Sequence, residues 1–342
     1  MKKEVPKPLF VAEISANHMG SLTRARNLIH AAIDSGADAV KLQTYTADTM
    51  TLNIDSNEFK VSESHELWPG KKLYDLYKEA HTPWEWHEEL FEICEKNGVI
   101  AFSTPFDSTA VDFLESLEVP MYKISSMETG DLPLIEKVAS LGKPLLISTG
   151  ATTFREIEEV VRTVRNSKNS KLTLLVCTSA YPAKPKEANL GRLKLLKEVF
   201  DVEVGLSDHT LGIGVSLAAI ALGATVIEKH FTLSRSDGGA DSAFSLEPEE
   251  FEMLVTEGNA AFESIGEQKW SISDSESESR RLRRSLYIVR DVSKGETVTK
   301  ENVKAIRPGN GCEPMHLDSL LGKRFLFDAK IGTPMNLNLV SD

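Results

Sequence analysis

Cysteine is scarce. The 342 residues contain three, Cys94, Cys177 and Cys312, an odd number spread far apart. No pair has the CxxC spacing of a zinc knuckle or redox motif, which excludes both and fits a reducing compartment. No run of about 18 apolar residues occurs, so no membrane span is expected. Met1-Lys-Lys-Glu-Val-Pro passes straight into a strand-like segment without a signal-peptide stretch, so the expected location is the cytoplasm. No GxGxxG turn follows the first strand-like run, which argues against a dinucleotide fold. Positive charge is in deficit, 39 basic against 51 acidic residues for a net charge of −12, and this argues against nucleic acid as a partner. The one basic cluster, Arg280-Arg-Leu-Arg-Arg284, follows an acidic serine-rich run and reads as a solvated or ion-paired linker end. An anionic substrate therefore needs a local basic pocket.

What is present is apolar material for one large domain and a small one, 41% of residues being hydrophobic. Short apolar or β-branched runs recur at residues 9–14, 39–42, 99–103, 121–124, 144–148, 172–177, 202–206 and 225–231, each followed by a helix-like segment. About eight such units in roughly 260 residues predict a closed (β/α)8 barrel, the TIM barrel, rather than an open doubly wound sheet. Leu22 to Ser35 places Ala25, Leu28, Ile29, Ala32 and Ile33 at helical spacing and stops at Gly36. Residues 47–83 form a longer insertion, with Trp68-Pro-Gly and the polar run Ser62-Glu-Ser-His, placed to shape a pocket over the barrel mouth. After Trp270 a Ser/Glu-rich stretch reads as a linker or hinge. The tail repeats a pattern, Arg290-Asp-Val-Ser-Lys-Gly295 and Phe327-Asp-Ala-Lys-Ile-Gly332, which suggests a turn-rich β domain with weak internal symmetry. The expected domains are a barrel over 1–268, a linker over 269–284 and a small β-rich domain over 285–342.

In such a barrel the C-terminal strand ends converge on the active site. Those positions hold Glu13, Lys41 with Gln43, Ser103 with Thr104, Lys123 with Ser126, Ser148 with Thr149, Thr178 with Tyr181, Ser207 with His209, and Glu228 with His230. Lys41 and Lys123 with the hydroxyls of Thr104, Ser126, Ser148 and Ser207 suit a ligand carrying phosphate and carboxylate. His209 and His230 end adjacent strands and suit a divalent ion such as Mn²⁺, Co²⁺ or Zn²⁺. Each residue has a plainer alternative: a hydrogen-bonded core histidine, an ion-paired lysine, and for Glu13 a salt-bridge partner rather than a proton carrier. Lys123 is also placed to be the Schiff-base lysine of a pyruvate aldolase.

The segments Val11-Ala-Glu-Ile-Ser-Ala-Asn-His18, Lys41-Leu-Gln-Thr44, Ser103-Thr-Pro-Phe106, Tyr122-Lys-Ile-Ser-Ser126, Ser148-Thr-Gly150, Gly205-Leu-Ser-Asp-His-Thr210 and Glu228-Lys-His-Phe231 together resemble the sialic acid synthase family. Arg307-Pro-Gly-Asn-Gly311 resembles that family's antifreeze-like (SAF) domain. Three further segments, Leu67 to Tyr77, Thr82 to His87 and Asp241 to Pro248, are similar to the branch that forms pseudaminic acid. The resemblance implies a transferase that condenses phosphoenolpyruvate with 2,4-diacetamido-2,4,6-trideoxy-L-altrose. Rival sugars are N-acetylmannosamine and the legionaminic precursor. It implies phosphoenolpyruvate on Lys41, Thr104, Lys123, Ser126, Ser148 and Ser207, and the sugar on Gln43, Tyr181, Asp241 and Arg307. It also implies a metal cofactor (Mn²⁺, Co²⁺ or Mg²⁺) on His209 and His230, proton transfers by Glu13 and Asp241, and a domain-swapped homodimer that brings Arg307 to a partner's barrel. A reading of another class, a sugar- or ice-binding module, finds little support in the single Arg307 loop and charged tail.

Overall fold

The computed structural model describes residues 6–63, 68–266 and 270–341. Ser64, His65 and Leu67, the N-terminal Met1 to Val5, and the expected boundary at 268/269 lie outside the described residues. The chain divides into two compact units, Met1–Gly266 and Glu267–Asp342.

In the first unit eight parallel strands close into a barrel: β1 (Leu9–Glu13), β2 (Ala39–Thr44), β3 (Ile100–Pro105), β4 (Tyr122–Ile124), β5 (Leu145–Ser148), β6 (Leu172–Cys177), β7 (Glu203–Asp208) and β8 (Val226–His230). β1 pairs with both β2 and β8, which completes the ring. The strands are buried on both faces, as parallel strands covered by helices must be. Alternation sorts their residues into two layers. Val11, Ala39, Phe102, Met121, Leu146, Leu175 and Val226 fill the lumen, while Phe10, Ala12, Val40, Leu42, Leu174 and Ile227 pack outward against the helices. Two residues beyond each lumen residue, the same side of the strand emerges at the barrel mouth, and this period of two fixes which polar side chains meet there.

The expected first helix spans Leu22–Asp34, its N-terminal N–H of Arg24 taken up by the Ser21 side chain and its buried face formed by Ala25, Leu28, Ile29 and Ala32. The described part of the insertion after β2 includes the short α-helices Ala47–Met50 and Leu73–Ala80. Among the described residues no helix is long and apolar enough to cross a membrane.

The second unit pairs β9 (Ser285–Ile288) antiparallel with β10 (Val303–Ile306) over a core that includes Leu286, Ile288, Val298, Phe325 and Met335. The stretch expected as a plain linker contains a helix, Asp274–Arg281, with no buried residue. Its start is made by a capping box between Ser273 and Glu276, so local hydrogen bonds rather than packing account for it. The two repeated tail segments face one another. Val292 and Ala329 exchange both backbone hydrogen bonds at 2.9 and 3.0 Å. The Asp328 carboxylate accepts from the N–H of Lys294 at 2.7 Å, and Asp291 accepts from the N–H of Ile331 at 2.9 Å. Each turn closes on a glycine with left-handed backbone, Gly295 (φ 83°) and Gly332 (φ 87°).

Candidate active site

A cavity of about 390 Å³ opens at the C-terminal ends of the barrel strands, within the range of small-molecule sites. Lys41, Gln43, Thr104, Lys123, Ser126, Ser148, Tyr181, Ser207, His209, His230 and Asp241 all line it. Glu13 lies directly behind, in contact with the Lys41 ammonium. Arg307 belongs to the second unit, where it is exposed just after β10.

Strand register brings these groups together. β1–β2 pairing sets Glu13 beside Lys41, β2–β3 sets Gln43 beside Thr104, and β7–β8 sets Ser207 beside Glu228. Lys123 Nζ donates to both oxygens of Glu228 at 3.0 and 3.2 Å. Ser207 Oγ donates to Glu228 Oε1 at 2.9 Å, and Lys41 Nζ lies 3.9 Å from Glu228 Oε2 and 3.1 Å from Thr104 Oγ1. Two ammoniums and two carboxylates thus interlock at the floor. Burial acts to raise the Glu228 pKa, but Lys123 and Lys41 outweigh it and hold the group at about 2. Glu13 goes the other way, pushed up by burial, with the nearby lysines only partly offsetting it. Lys123 is bound through two hydrogen bonds to one carboxylate, which suits an anion anchor, although burial lowers its pKa and Glu228 only partly offsets this.

On the far side, Asp241 accepts from the Ser15 hydroxyl, and Ser15 Oγ in turn accepts from Gln43 Nε2 at 2.9 Å. Burial raises the Asp241 carboxyl above its ordinary range despite the Ser15 bond. Asp241 Oδ2 is 4.0 Å from His230 Nδ1. The His209 and His230 rings lie 5.3 Å apart, with Tyr181 4.5 Å from His209 and Phe244 4.9 Å from His230. His209 Nδ1 lies 2.9 Å from the Thr178 carbonyl, which can only accept, so Nδ1 carries a proton and Nε2 is the nitrogen left for a metal; burial lowers the ring's pKa, but Cys177 and Thr178 outweigh it and raise it, so a metal there would compete with a proton. Buried His230 has no hydrogen-bond partner at Nδ1, and its pKa is driven well below the ordinary value by burial, then by His209 and Lys41. A neutral imidazole with an orphaned nitrogen beside a second ring whose Nε2 is open fits a divalent metal. Among the described residues no third His, Cys, Asp or Glu joins them in a three-ligand cluster.

A side chain at residue 150 would collide with this architecture. A Cβ there would sit 2.3 Å from Ser179 Oγ and 2.7 Å from Ser126 Oγ, and the bare Gly150 N–H instead donates to Ser126 Oγ at 3.1 Å. Ser148 Oγ, buried and unpartnered, is an unused donor on the same side.

Register also decides between the paired candidates. Thr104 faces the cavity, whereas Ser103 turns outward to bond Thr44 Oγ1 at 2.6 Å. Thr149 is spent on the Leu175 carbonyl at 3.1 Å, and Thr178 contributes its backbone to His209. Glu228 appears in the sequence as a strand-end residue, but its organising role does not. Cys177 and Glu128 also line the cavity without having been singled out. The signal for Glu228 and Cys177 is their position two residues beyond Val226 and Leu175. The insertion adds an apolar wall of Met50, Val61, Leu73, Leu76, Tyr77 and Ala80 opposite the polar floor.

The NeuB family model matches residues 28–270 and the SAF domain model residues 283–334. A pseudaminic acid synthase of Helicobacter pylori is 44% identical over 96% of this chain and 96% of its own length. An N,N'-diacetyllegionaminic acid synthase of Campylobacter jejuni is 37% identical over 93% of this chain and 95% of its own. Among solved structures, an N-acetylneuraminic acid synthetase of Leptospira borgpetersenii serovar Hardjo-bovis superposes with a TM-score of 0.72 at 30% identity, covering 82% of this chain and 93% of that one.

Proposed function

The chain belongs to the NeuB family, and from that premise we propose that it condenses phosphoenolpyruvate with 2,4-diacetamido-2,4,6-trideoxy-L-altrose to give pseudaminic acid and phosphate. The observation that carries the choice of sugar is the two-sided cavity, a charged floor opposite an apolar wall. A trideoxy sugar bearing two acetamido groups presents several methyls to such a wall, whereas N-acetylmannosamine would set free hydroxyls against it at a desolvation cost. The higher identity to the pseudaminic than to the legionaminic synthase, 44% against 37%, favours the L-altro sugar.

In this reading the phosphate and carboxylate of phosphoenolpyruvate lie on Lys41, Thr104, Lys123, Ser126, Ser148 and Ser207, close against Gly150. Gln43, Tyr181 and Asp241 hold the open-chain sugar. Arg307 joins them from a partner subunit in a domain-swapped homodimer, as the family resemblance implies. His209 and His230 hold a divalent metal (Mn²⁺, Co²⁺ or Mg²⁺), which when bound polarises the aldehyde as a Lewis acid. Confining both substrates in one cavity replaces a bimolecular encounter by a positioned attack of C3 of the enol ester on the aldehyde carbon. Asp241, at the histidine end and pushed up by burial, gives its proton to the oxygen that was the aldehyde. Glu13, beside Lys41 and likewise raised, takes a proton from the water that adds at C2. The resulting tetrahedral centre expels phosphate with cleavage of its C–O bond, and the proton of its hydroxyl leaves with the phosphate. Between turnovers Glu13 returns its proton to solvent and Asp241 regains one from solvent, while Ser15, whose N–H bonds Glu13 and whose hydroxyl bonds Asp241, holds the two carboxyls in place. We place this chemistry in the cytoplasm.

The experiment is phosphate release from phosphoenolpyruvate with each of the three candidate sugars, in Mn²⁺ and then in EDTA. Release with the trideoxy-altrose sugar, lost in EDTA, is the expected result. Preference for N-acetylmannosamine would move the assignment to sialic acid, and turnover untouched by EDTA would remove the metal from the scheme.

A further inference from the structure

Behind the two histidines, on the outer side of the barrel, lies a cluster that the proposed chemistry does not use. β7 and β8 pair Ser207 with Glu228 and Asp208 with Lys229. Ser207 and Glu228 turn into the cavity, so alternation sends Asp208 and Lys229 to the opposite face. There they are 1% and 0% exposed, in a layer that includes Leu206, Ile220 and Ile227. Lys229 Nζ lies 3.2 Å from Asp208 Oδ2 and also donates to the Thr210 carbonyl. Asp208 Oδ1 accepts from the Thr210 N–H at 2.9 Å and its hydroxyl at 2.8 Å, and Oδ2 accepts from Ser216 Oγ at 2.7 Å. Ser216 lies on the helix Gly214–Ala221. Residues 208 and 210, which share these bonds, flank His209, and Lys229 stands between Glu228 and His230.

A buried ion pair is on balance no more stabilising than a well-packed apolar pair of the same volume, so stability alone does not account for it. We propose that the Asp208–Lys229 pair is a positioning strut: it locks the ends of β7 and β8 together, and thereby fixes the separation of His209 and His230 and the orientation of Glu228. The inference rests on the reading of those histidines as metal ligands. Neither Asp208 nor Lys229 touches the cavity; both act through their neighbours, as partners behind metal ligands commonly do.

The test is calorimetric titration of Mn²⁺ into the metal-free full-length protein, with circular dichroism and thermal melts to record folding. Asp208→Asn/Lys229→Met removes both charges at nearly constant volume. It is expected to keep the wild-type dichroism and bind Mn²⁺ about 10–100-fold more weakly. Thr210→Val deletes only the hydroxyl bond to Asp208, and carries the test if the double variant does not fold; weakening of several-fold is expected. Wild-type Mn²⁺ affinity in either folded variant overturns the strut. If wild-type protein binds no Mn²⁺, or keeps its binding after His209→Ala/His230→Ala, the histidine reading fails instead. The strut is then judged on phosphoenolpyruvate affinity, which passes through Glu228. A fall in the same variants upholds it, and an unchanged value overturns it.

Discussion

Glu228 shows how one side chain sets the electrostatics of the pocket. It accepts from Lys123 and Ser207 and stands near Lys41, so removing its charge takes away the carboxylate shared by two buried lysines. Glu228→Gln should therefore cost on the order of 3–5 kcal/mol at pH 7, as loss of one partner of a buried pair does. Because its folded pKa of about 2 is depressed below the ordinary 4.5, its stabilisation is complete above pH 4.5 and fades as pH falls towards 2. Urea unfolding of wild type and variant should show a gap at pH 7 that narrows at pH 3; a constant gap would contradict the assigned direction. The residue's identity was legible at the end of the last strand, but its partner lies 105 positions earlier in the chain. Only closure of the ring, which no local pattern encodes, brings Lys123 and Glu228 together.

At the scale of elements, the helix Leu73–Ala80 carries Leu73, Leu76, Tyr77 and Ala80 on the cavity side. Their spacing of i, i+3, i+4 and i+7 is the stripe of an amphipathic helix. The insertion was readable as a pocket-shaping segment; its lining face was readable too, from that stripe, but only once the helix bounds were known. Leu73 is only half buried, so Leu73→Gln should leave stability within about 1 kcal/mol. It should raise the sugar KM roughly tenfold, the worth of one or two buried methylenes, with the phosphoenolpyruvate KM unchanged. Steady-state kinetics with each substrate varied separates the two, and equal shifts in both KM values would dissociate this wall from the sugar. The helix Asp274–Arg281 was hidden for the opposite reason. Its sequence has no apolar stripe at all, and its one local signal is the Ser-x-x-Glu capping box, which polar linkers also contain by chance.

The whole molecule combines a barrel that holds all but one of the proposed site residues with a second unit that holds Arg307. A chain ending at Gly266 keeps the entire closed barrel and its core, so it should melt cooperatively yet lose turnover. A truncated chain with full phosphate release would remove Arg307 from the site. Element order and the two-unit organisation were legible because short apolar runs alternating with helix-like segments are local properties that survive in the bare sequence; closure was inferred from the number of those units, and which side chains it brings together was not. From the acidic net charge an anionic substrate was expected to need a local basic pocket; two lysines do sit at the barrel floor, but each is matched by a carboxylate, Lys41 by Glu13 and Lys123 by Glu228. The tail's twin turns carry a further consequence. Asp291 secures the turn ending at Gly332, and Asp328 secures the one ending at Gly295, so neither is complete without the other. In terms of inheritance, the two segments are a single heritable unit. A lineage that loses one by deletion gains nothing by keeping its twin, and the pair is expected to persist or vanish together.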